Sequence, residues 1–253
     1  MADPRDLFDL RGRVACVTGA SSGLGRQAAL VLAAAGARVV GVARRKAELD
    51  TLREDIGEGC AVVVGDVADR SAFPTLCAAI AARFGPPDIL VNAAGVNTRE
   101  AADNVTEEGW DATLALNLSA PFFLAQAMVP AMRERGWGRI VNFASLQTTR
   151  AFPSGIAYGA TKAGIGQLTR AMAEAWSRDG ITANAIGPGF FPTELTAAVF
   201  SDPDRSARNA AQTCVHRNGR MEDIDGPLLF LSSDASGFVT GQVLMVDGGF
   251  TAK

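Results

Sequence analysis

The stretch Val14-Ala15-Cys16-Val17-Thr18-Gly19-Ala20-Ser21-Ser22-Gly23-Leu24-Gly25 decides the fold. An apolar, β-branched run enters a glycine-rich turn, and from Leu24 to Ala35 the composition becomes that of an Ala- and Leu-rich helix. Strand, tight turn and helix in that order open a βαβ unit. Gly19 permits the turn, and Gly23 lets a pyrophosphate approach the backbone, with Ser21, Ser22 and Leu24 beside it. Gly25 allows close packing of helix on strand, leaving the helix N-terminus aimed at phosphates. The turn is suited to a dinucleotide.

Outward from this turn the alternation continues. Val14 to Thr18, Arg38 to Ala43, Ala61 to Val64, Ile89 to Asn92, Arg139 to Phe143, Thr182 to Ile186 and Leu244 to Val246 read as strands. Leu24 to Ala35, Lys46 to Ile56, Ser71 to Phe84, Trp110 to Arg135, Ala157 to Arg178 and Asp223 to Leu231 read as helices. Near-continuous apolar strands separated by helices predict an α/β fold. Its parallel sheet of about seven strands is covered on both faces, doubly wound by right-handed crossovers, with ligands at the carboxyl ends of the strands. No linker or composition shift divides residues 1–253, so one domain is expected. Residues 187–218 break the alternation with prolines at 188, 192 and 203, and read as a lid after the sixth strand.

The strand ends on that edge supply further cofactor candidates. The second strand ends in Ala43 followed by Arg44 and Arg45, with no acid before Glu48. A carboxylate at this position would hold ribose hydroxyls, whereas paired guanidiniums grip a 2′-phosphate. NADP(H) is therefore favoured, and NAD(H) stays open. Asp66 and Val67 fall near the expected adenine, and Asn92-Ala93-Ala94-Gly95 forms a small-residue turn beside the cofactor. Pro188, Gly189, Phe191 and Thr193 stand where backbone and a hydroxyl meet a nicotinamide amide.

Bulk properties exclude several classes. Lys plus Arg number 24 against 27 Asp plus Glu, a net charge of −3 that gives no reason to expect nucleic acid or an anionic membrane. The first residues carry acids and no apolar core, unlike a secretory signal. The most apolar stretch is read as Ala28 to Ala43, broken by Gly36, Arg38 and Gly41. Four scattered cysteines (Cys16, Cys60, Cys77, Cys214) and one histidine, His216, offer no metal site or disulfide framework. A cytoplasmic, metal-independent protein is expected.

Tyr158 and Lys162 stand four residues apart, with Ser145 thirteen residues upstream of the tyrosine. On a helix that spacing puts phenol and ammonium on one face. A neighbouring cation favours phenolate, so the expectation is a tyrosine that exchanges its proton nearer neutrality than about pH 10. Asn117, in Leu114-Ala-Leu-Asn117-Leu-Ser119, is a polar residue in an apolar helix, where an unpaired amide costs roughly 1–3 kcal/mol.

With these residues together, the chain resembles the short-chain dehydrogenase/reductase family from Val14 to Gly249. The parts fall in the family's order: Thr18 to Gly25, Asp66, Asn92 to Gly95, Asn117, Ser145, Tyr158-x-x-x-Lys162, Pro188-Gly189, Thr193 and the ending Val246-Asp247-Gly248-Gly249. Ala93 stands where an asparagine is usual, and Leu24 where isoleucine is common. The resemblance implies a single-domain Rossmann-type fold and hydride transfer at a secondary alcohol or ketone carbon. It also implies roles: Tyr158 as acid and base, Ser145 on the substrate oxygen, Lys162 on the nicotinamide ribose, and Asn117 anchoring a water that leads from Lys162 to solvent.

Within the family the chain is similar to gluconate 5-dehydrogenases and polyol dehydrogenases. The 3-oxoacyl-carrier-protein reductase branch is the alternative. A small sugar acid or polyol is the expected substrate, near Ser145, Gln147, Tyr158 and Phe190, with Phe191 and Phe200 adding apolar walls. An acidic carrier would need a basic patch; Arg133, Arg135 and Arg139 are the candidates and read as solvated, as does Arg150. Two other classes stay in view, a non-catalytic NADP(H)-binding sensor and a hydrolase built on Ser145. The long helices with apolar residues on more than one face imply a homodimer or homotetramer.

Overall fold

The apolar run of β1 (Val14–Thr18) is buried throughout because its alternate side chains enter two different cores. A computed structural model describes residues 3–253 of the chain. Ala15 and Val17 join one apolar cluster; Val14 and Cys16 join the other, across the sheet. The remaining strands are β2 (Arg38–Ala43), β3 (Cys60–Val64), β4 (Ile89–Asn92), β5 (Gly138–Phe143), β6 (Ile181–Pro188) and β7 (Val243–Val246). They form one parallel sheet in the order β3-β2-β1-β4-β5-β6-β7.

Helices α1 (Gly23–Ala34), α2 (Lys46–Ile56) and α9 (Asp225–Ser232) cover the first face through Leu32, Leu49, Leu52, Leu228 and Leu231. Helices α3 (Phe73–Phe84), α5 (Ala120–Arg135) and α6 (Ile156–Trp176) cover the second through Leu76, Ile80, Leu124, Met128 and Met172. Burying a full set of Leu, Ile and Met side chains at roughly 1.5–3 kcal/mol each is what holds the layers together. The chain order reverses between β1 and β4, whose last residues Thr18 and Asn92 are in register. That switch point opens the crevice at the carboxyl edge.

Two expectations are corrected. The Trp110 to Arg135 helix starts earlier, as α4 (Glu107–Leu114) capped by the Thr106 hydroxyl, which accepts from Gly109 N at 3.0 Å. It is then interrupted by a π-helical turn at Ala115–Ser119 before α5. Among the described residues, Glu107–Arg135 is the one helical run long and apolar enough by composition to cross a membrane, with mean hydropathy 1.4 over its most apolar stretch. It lies on the sheet, with 44% of its most apolar stretch buried. Finally, residues 187–218 are not one continuous irregular insert: β6 extends to Pro188, and the segment after it contains α7 (Ala197–Phe200) and α8 (Pro203–Gln212).

The arginines around Trp137 are also not free. Arg13 and Arg139 stack on the Trp137 ring at 3.7 and 4.3 Å, and Arg139 is 3% exposed with its Nε donating to Ser233 O. Arg135 pairs with Asp88 at 2.8 Å and Arg133 with Asp179 at 2.6 Å. They sit at the amino end of β5, on the edge opposite the crevice.

Candidate active site

The glycine turn is built by close approach. A Cβ on Gly25 would lie 2.3 Å from Gly19 O, so only glycine lets α1 seat against the end of β1. Gly19 has φ +70° and presses on the Ala93–Ala94 backbone, where a Cβ would meet Ala94 N at 2.8 Å. Thr18 Oγ1 accepts from Ala93 N at 3.1 Å and Ala94 N at 3.2 Å. A threonine hydroxyl thereby anchors the turn, and Ala93 keeps its support without a side-chain amide.

These turns open onto a cleft of about 740 Å³ along the carboxyl edge. Gly19, Ser21, Ser22, Gly23, Leu24 and Gly25 line its floor at one end, with Arg44, Arg45, Asp66 and Val67 around them. Ala93, Ala94 and Gly95 form the middle; Ser145, Gln147, Tyr158 and Lys162 line the far end. Pro188, Gly189, Phe190, Phe191 and Thr193 come from the end of β6 and the segment that follows it.

Asn92 is the exception among the expected cofactor residues. It is 4% exposed and turns into the sheet, donating to Asn142 Oδ1 at 2.9 Å. Being the last residue of β4, it points away from the edge that its neighbours line. Arg44 and Arg45 also part company. Arg44 reaches Asp66 at 3.8 Å, while Arg45 donates to Ser21 Oγ at 3.2 Å and Ser22 Oγ at 2.8 Å. Phe200 lies behind, in a smaller recess with Ser21, Ser22 and Gly23, and not in the main cleft.

Asn117 lies below the cleft, 1% exposed, on the π turn. Its Oδ1 accepts from Val96 N at 2.9 Å, and its Nδ2 donates to Val96 O at 2.8 Å. Nδ2 also lies 3.3 Å from Thr161 Oγ1 of α6. The wide turn aims this amide at the loop after β4, and both ends of the amide are paired, so its burial is compensated.

Tyr158 and Lys162 share one face of α6, as their spacing requires. Lys162 Nζ donates to Phe143 O at 2.6 Å and lies 5.5 Å from the centre of the tyrosine ring. Burial of the ammonium lowers its pKa to about 8. The phenol departs from expectation: its pKa is raised, because burial outweighs a hydrogen bond with Ser145 and the positive charge of Arg99, both of which lower it. The ammonium is aimed at the β5 carbonyl beneath the ring, so it does not offset that burial. Ser145 itself caps a short turn, its Oγ accepting from Gln147 N at 3.1 Å.

Sequence reasoning missed Arg99, Ser154, Glu194, Arg205 and Asn209, all of which line the cleft. Arg99 (φ +57°) and Ser154 (φ +55°) are non-glycine residues held in the left-handed region, a strain that collects at functional sites. Arg99 could have been found as the one base in the loop that follows Gly95; Glu194, Arg205 and Asn209 had no signal beyond their place in residues 187–218. Phe152, Phe190 and Phe250 pack together, with ring centres 5.9 to 6.2 Å apart, at the far end.

A family model described as enoyl-(acyl carrier protein) reductase matches residues 19–251. The gluconate 5-dehydrogenase of Gluconobacter oxydans (strain 621H) is 41% identical over 251 residues, covering 98% of each chain. The chain belongs to the short-chain dehydrogenase/reductase family. Another member, the galactitol 2-dehydrogenase (L-tagatose-forming) of Cereibacter sphaeroides, is 37% identical over 252 residues, 98% of this chain and 99% of that protein. The crystal structure of a gluconate 5-dehydrogenase from Burkholderia cenocepacia J2315 in complex with NADP and tartrate superposes with a TM-score of 0.94 at 38% identity. That match covers 99% of this chain and all (100%) of the other. Of the residues that carry the family resemblance, Gly19, Ser21 to Gly25, Asp66, Ala93 to Gly95, Ser145, Tyr158, Lys162, Pro188, Gly189 and Thr193 line the cleft, whereas Asn92 and Asn117 do not.

Proposed function

We propose that the protein is an NADP(H)-dependent oxidoreductase acting between the alcohol and ketone forms of a small sugar acid or polyol. The observation that carries this reading is one continuous cleft holding both the glycine turn with Arg45 and the Ser145–Tyr158 pair with Lys162. Residues at the first end fit a phosphorylated dinucleotide. Gly19 and Gly25 leave no Cβ in the way, Ser21, Ser22 and Arg45 converge as donors, and the α1 N-terminus faces them. When bound, the nicotinamide would donate hydride to the ketone or accept it from the alcohol.

The chain's own residues do the rest. Tyr158 holds the transferable proton at its hydroxyl, giving it to the substrate oxygen in reduction and taking it back in oxidation. Its raised pKa keeps it protonated at neutral pH, the form reduction needs. Ser145 Oγ fixes the substrate oxygen beside the phenol and supports charge developing there. Lys162 presents a cation under that pair, fixed by Phe143 O. Asn117 holds the loop after β4 and, with its amide turned to Val96 and Thr161, would anchor a water between Lys162 and solvent.

Substrate class is supported by the gluconate and galactitol dehydrogenases among the relatives and by the charge of Arg99 acting on Tyr158. A guanidinium there suits the carboxylate of a sugar acid. The acyl-carrier alternative loses its basic patch, since Arg133, Arg135 and Arg139 are paired at the opposite edge. The proposal includes one domain over 1–253 with a lid at 187–218, a cytoplasmic location and a homodimer or homotetramer. The apolar run of α4 and α5, less than half buried within one copy, supports the last.

The test is titration with NADPH and NADH, followed by assay of the preferred one against keto sugar acids, keto sugars, 3-oxoacyl thioesters and aryl ketones. NADPH binding with turnover of the first two groups is expected. Turnover of thioesters alone would favour the carrier branch, and cofactor binding with no turnover the sensor.

A further inference from the structure

Glu194, the first residue of the short turn after Thr193, is exposed, yet its carboxylate is turned onto Arg45. Its Oε1 accepts from Arg45 Nη1 at 3.0 Å and its Oε2 from Arg45 Nη2 at 3.1 Å, a two-pronged pair. Ser22 Oγ donates to the same Oε2 at 3.1 Å while accepting from Arg45 Nη2 at 2.8 Å. A guanidinium and a hydroxyl at the end of β2, beside the start of α1, therefore hold an anion already, and it is the protein's own. The next residue is pinned from the other wall: Arg99 Nη2 donates to Leu195 O at 2.5 Å. The lid backbone thus crosses the cleft between two arginines, and Thr193 and Thr196 bracket the crossing with a reciprocal cap.

A planar carboxylate that uses both oxygens on an arginine satisfies the same donors that a phosphate would. NADP(H) and NAD(H) differ only by a 2′-phosphate, and Arg45 with Ser21 and Ser22 is the seat proposed above for it. We infer that Glu194 is a specificity-determining residue, its carboxylate occupying the 2′-phosphate seat in the cofactor-free protein so that NADP(H) must displace it while NAD(H) need not. This rests on the NADP(H) reading. The phosphate meets either a filled seat or, if Glu194 stays nearby, a like charge. Apparent affinity falls by the fraction of molecules with the seat open, and an exposed pair of this kind holds that fraction down about fivefold. NAD(H), carrying no 2′-phosphate, leaves the Arg45–Glu194 pair in place. Discrimination between the cofactors is then the difference of two equilibria, and Glu194 sets its size. Leaving the seat also releases one of the two pins on the lid, so arrival of the phosphate and movement of the lid are linked.

The experiment measures Kd for NADPH, NADH and 2′-AMP on the wild type, Glu194→Gln, Glu194→Ala, Arg45→Ala and the Arg45→Ala/Glu194→Gln pair. Both Glu194 variants should tighten NADPH and 2′-AMP by about three- to tenfold and leave NADH within about twofold, which also reports correct folding. In the Arg45→Ala background Glu194→Gln should have no effect. Unchanged or weaker NADPH binding in both Glu194 variants overturns the inference, as does equal tightening of NADPH and NADH. If Arg45→Ala weakens NADPH and NADH alike, the NADP(H) seat itself is wrong; if it weakens NADPH selectively, that seat stands whatever Glu194 does.

Discussion

Lys162 Nζ lies 5.5 Å from the centre of the Tyr158 ring and makes its hydrogen bond, of 2.6 Å, to Phe143 O, so the ammonium is held by the strand end rather than by the phenol. Holding it there is unfavourable to the empty protein. Its folded pKa, about 8, lies below the ordinary lysine value of roughly 10.4, so the unfolded chain keeps its proton to higher pH. Stability therefore rises with pH between those two values, and below pH 8 the full penalty, roughly 3 kcal/mol, is present. Lys162→Met should raise the stability of the cofactor-free protein by about 1–3 kcal/mol near neutral pH while abolishing turnover. Urea unfolding at two pH values checks it; a destabilised variant would show that the bond to Phe143 outweighs the buried charge.

Tyr158 is the chain's sole tyrosine, so its ionisation can be read directly from the ultraviolet absorbance of phenolate. In the cofactor-free protein it should titrate above the ordinary value of about 10. Ser145→Ala removes a hydrogen bond that lowers the pKa, and should move the titration higher still. Movement downward would contradict the burial argument. Tyr158→Phe should reduce turnover to background and leave NADPH affinity within a few-fold, by steady-state assay and titration.

Asn117→Ala leaves Val96 N and Val96 O without their partner. A loss of about 1–3 kcal/mol in unfolding free energy is expected, with a fall in kcat larger than any change in cofactor affinity. Full stability in the variant would mean that another group, or water, replaces the amide at no cost.

Arg99→Ala should separate charged from neutral substrates. Loss of one charge-assisted hydrogen bond is worth about 10- to 100-fold in KM for a sugar acid, against a few-fold for a neutral polyol. Equal increases for both would remove Arg99 from carboxylate recognition and leave it as a lid contact through Leu195 O.

Arg44 and Arg45 should differ. Arg45→Ala is expected to weaken NADPH at least tenfold more than Arg44→Ala does, because only Arg45 meets Ser21 and Ser22. Comparable losses would restore the paired grip that their adjacency in sequence implies.

Much of this was legible without coordinates, for identifiable reasons. β1, β2 and β4 have the expected ends because buried parallel strands are continuous apolar runs closed by turn residues. That Ser145, Tyr158 and Lys162 meet in one cleft was legible because the first follows the end of β5 closely and the others stand a helical turn apart. The interrupted helix around Asn117 was not, since a π turn has no composition of its own. Nor was the inward turn of Asn92, which depends on Asn142 of a strand distant in sequence.

The sequence by itself determined the order of strands and helices, the glycine turn and the spacing of Tyr158 and Lys162, because these rest on local periodicity and on steric limits at single residues. Tertiary structure alone decided the sign of the Tyr158 shift, the division of labour between Arg44 and Arg45, and the placing of Arg99 and Glu194 on the cleft. Those depend on burial and on charges brought together from distant parts of the chain, and Arg45 and Glu194, 149 residues apart, meet only when the segment after β6 folds over the sheet edge.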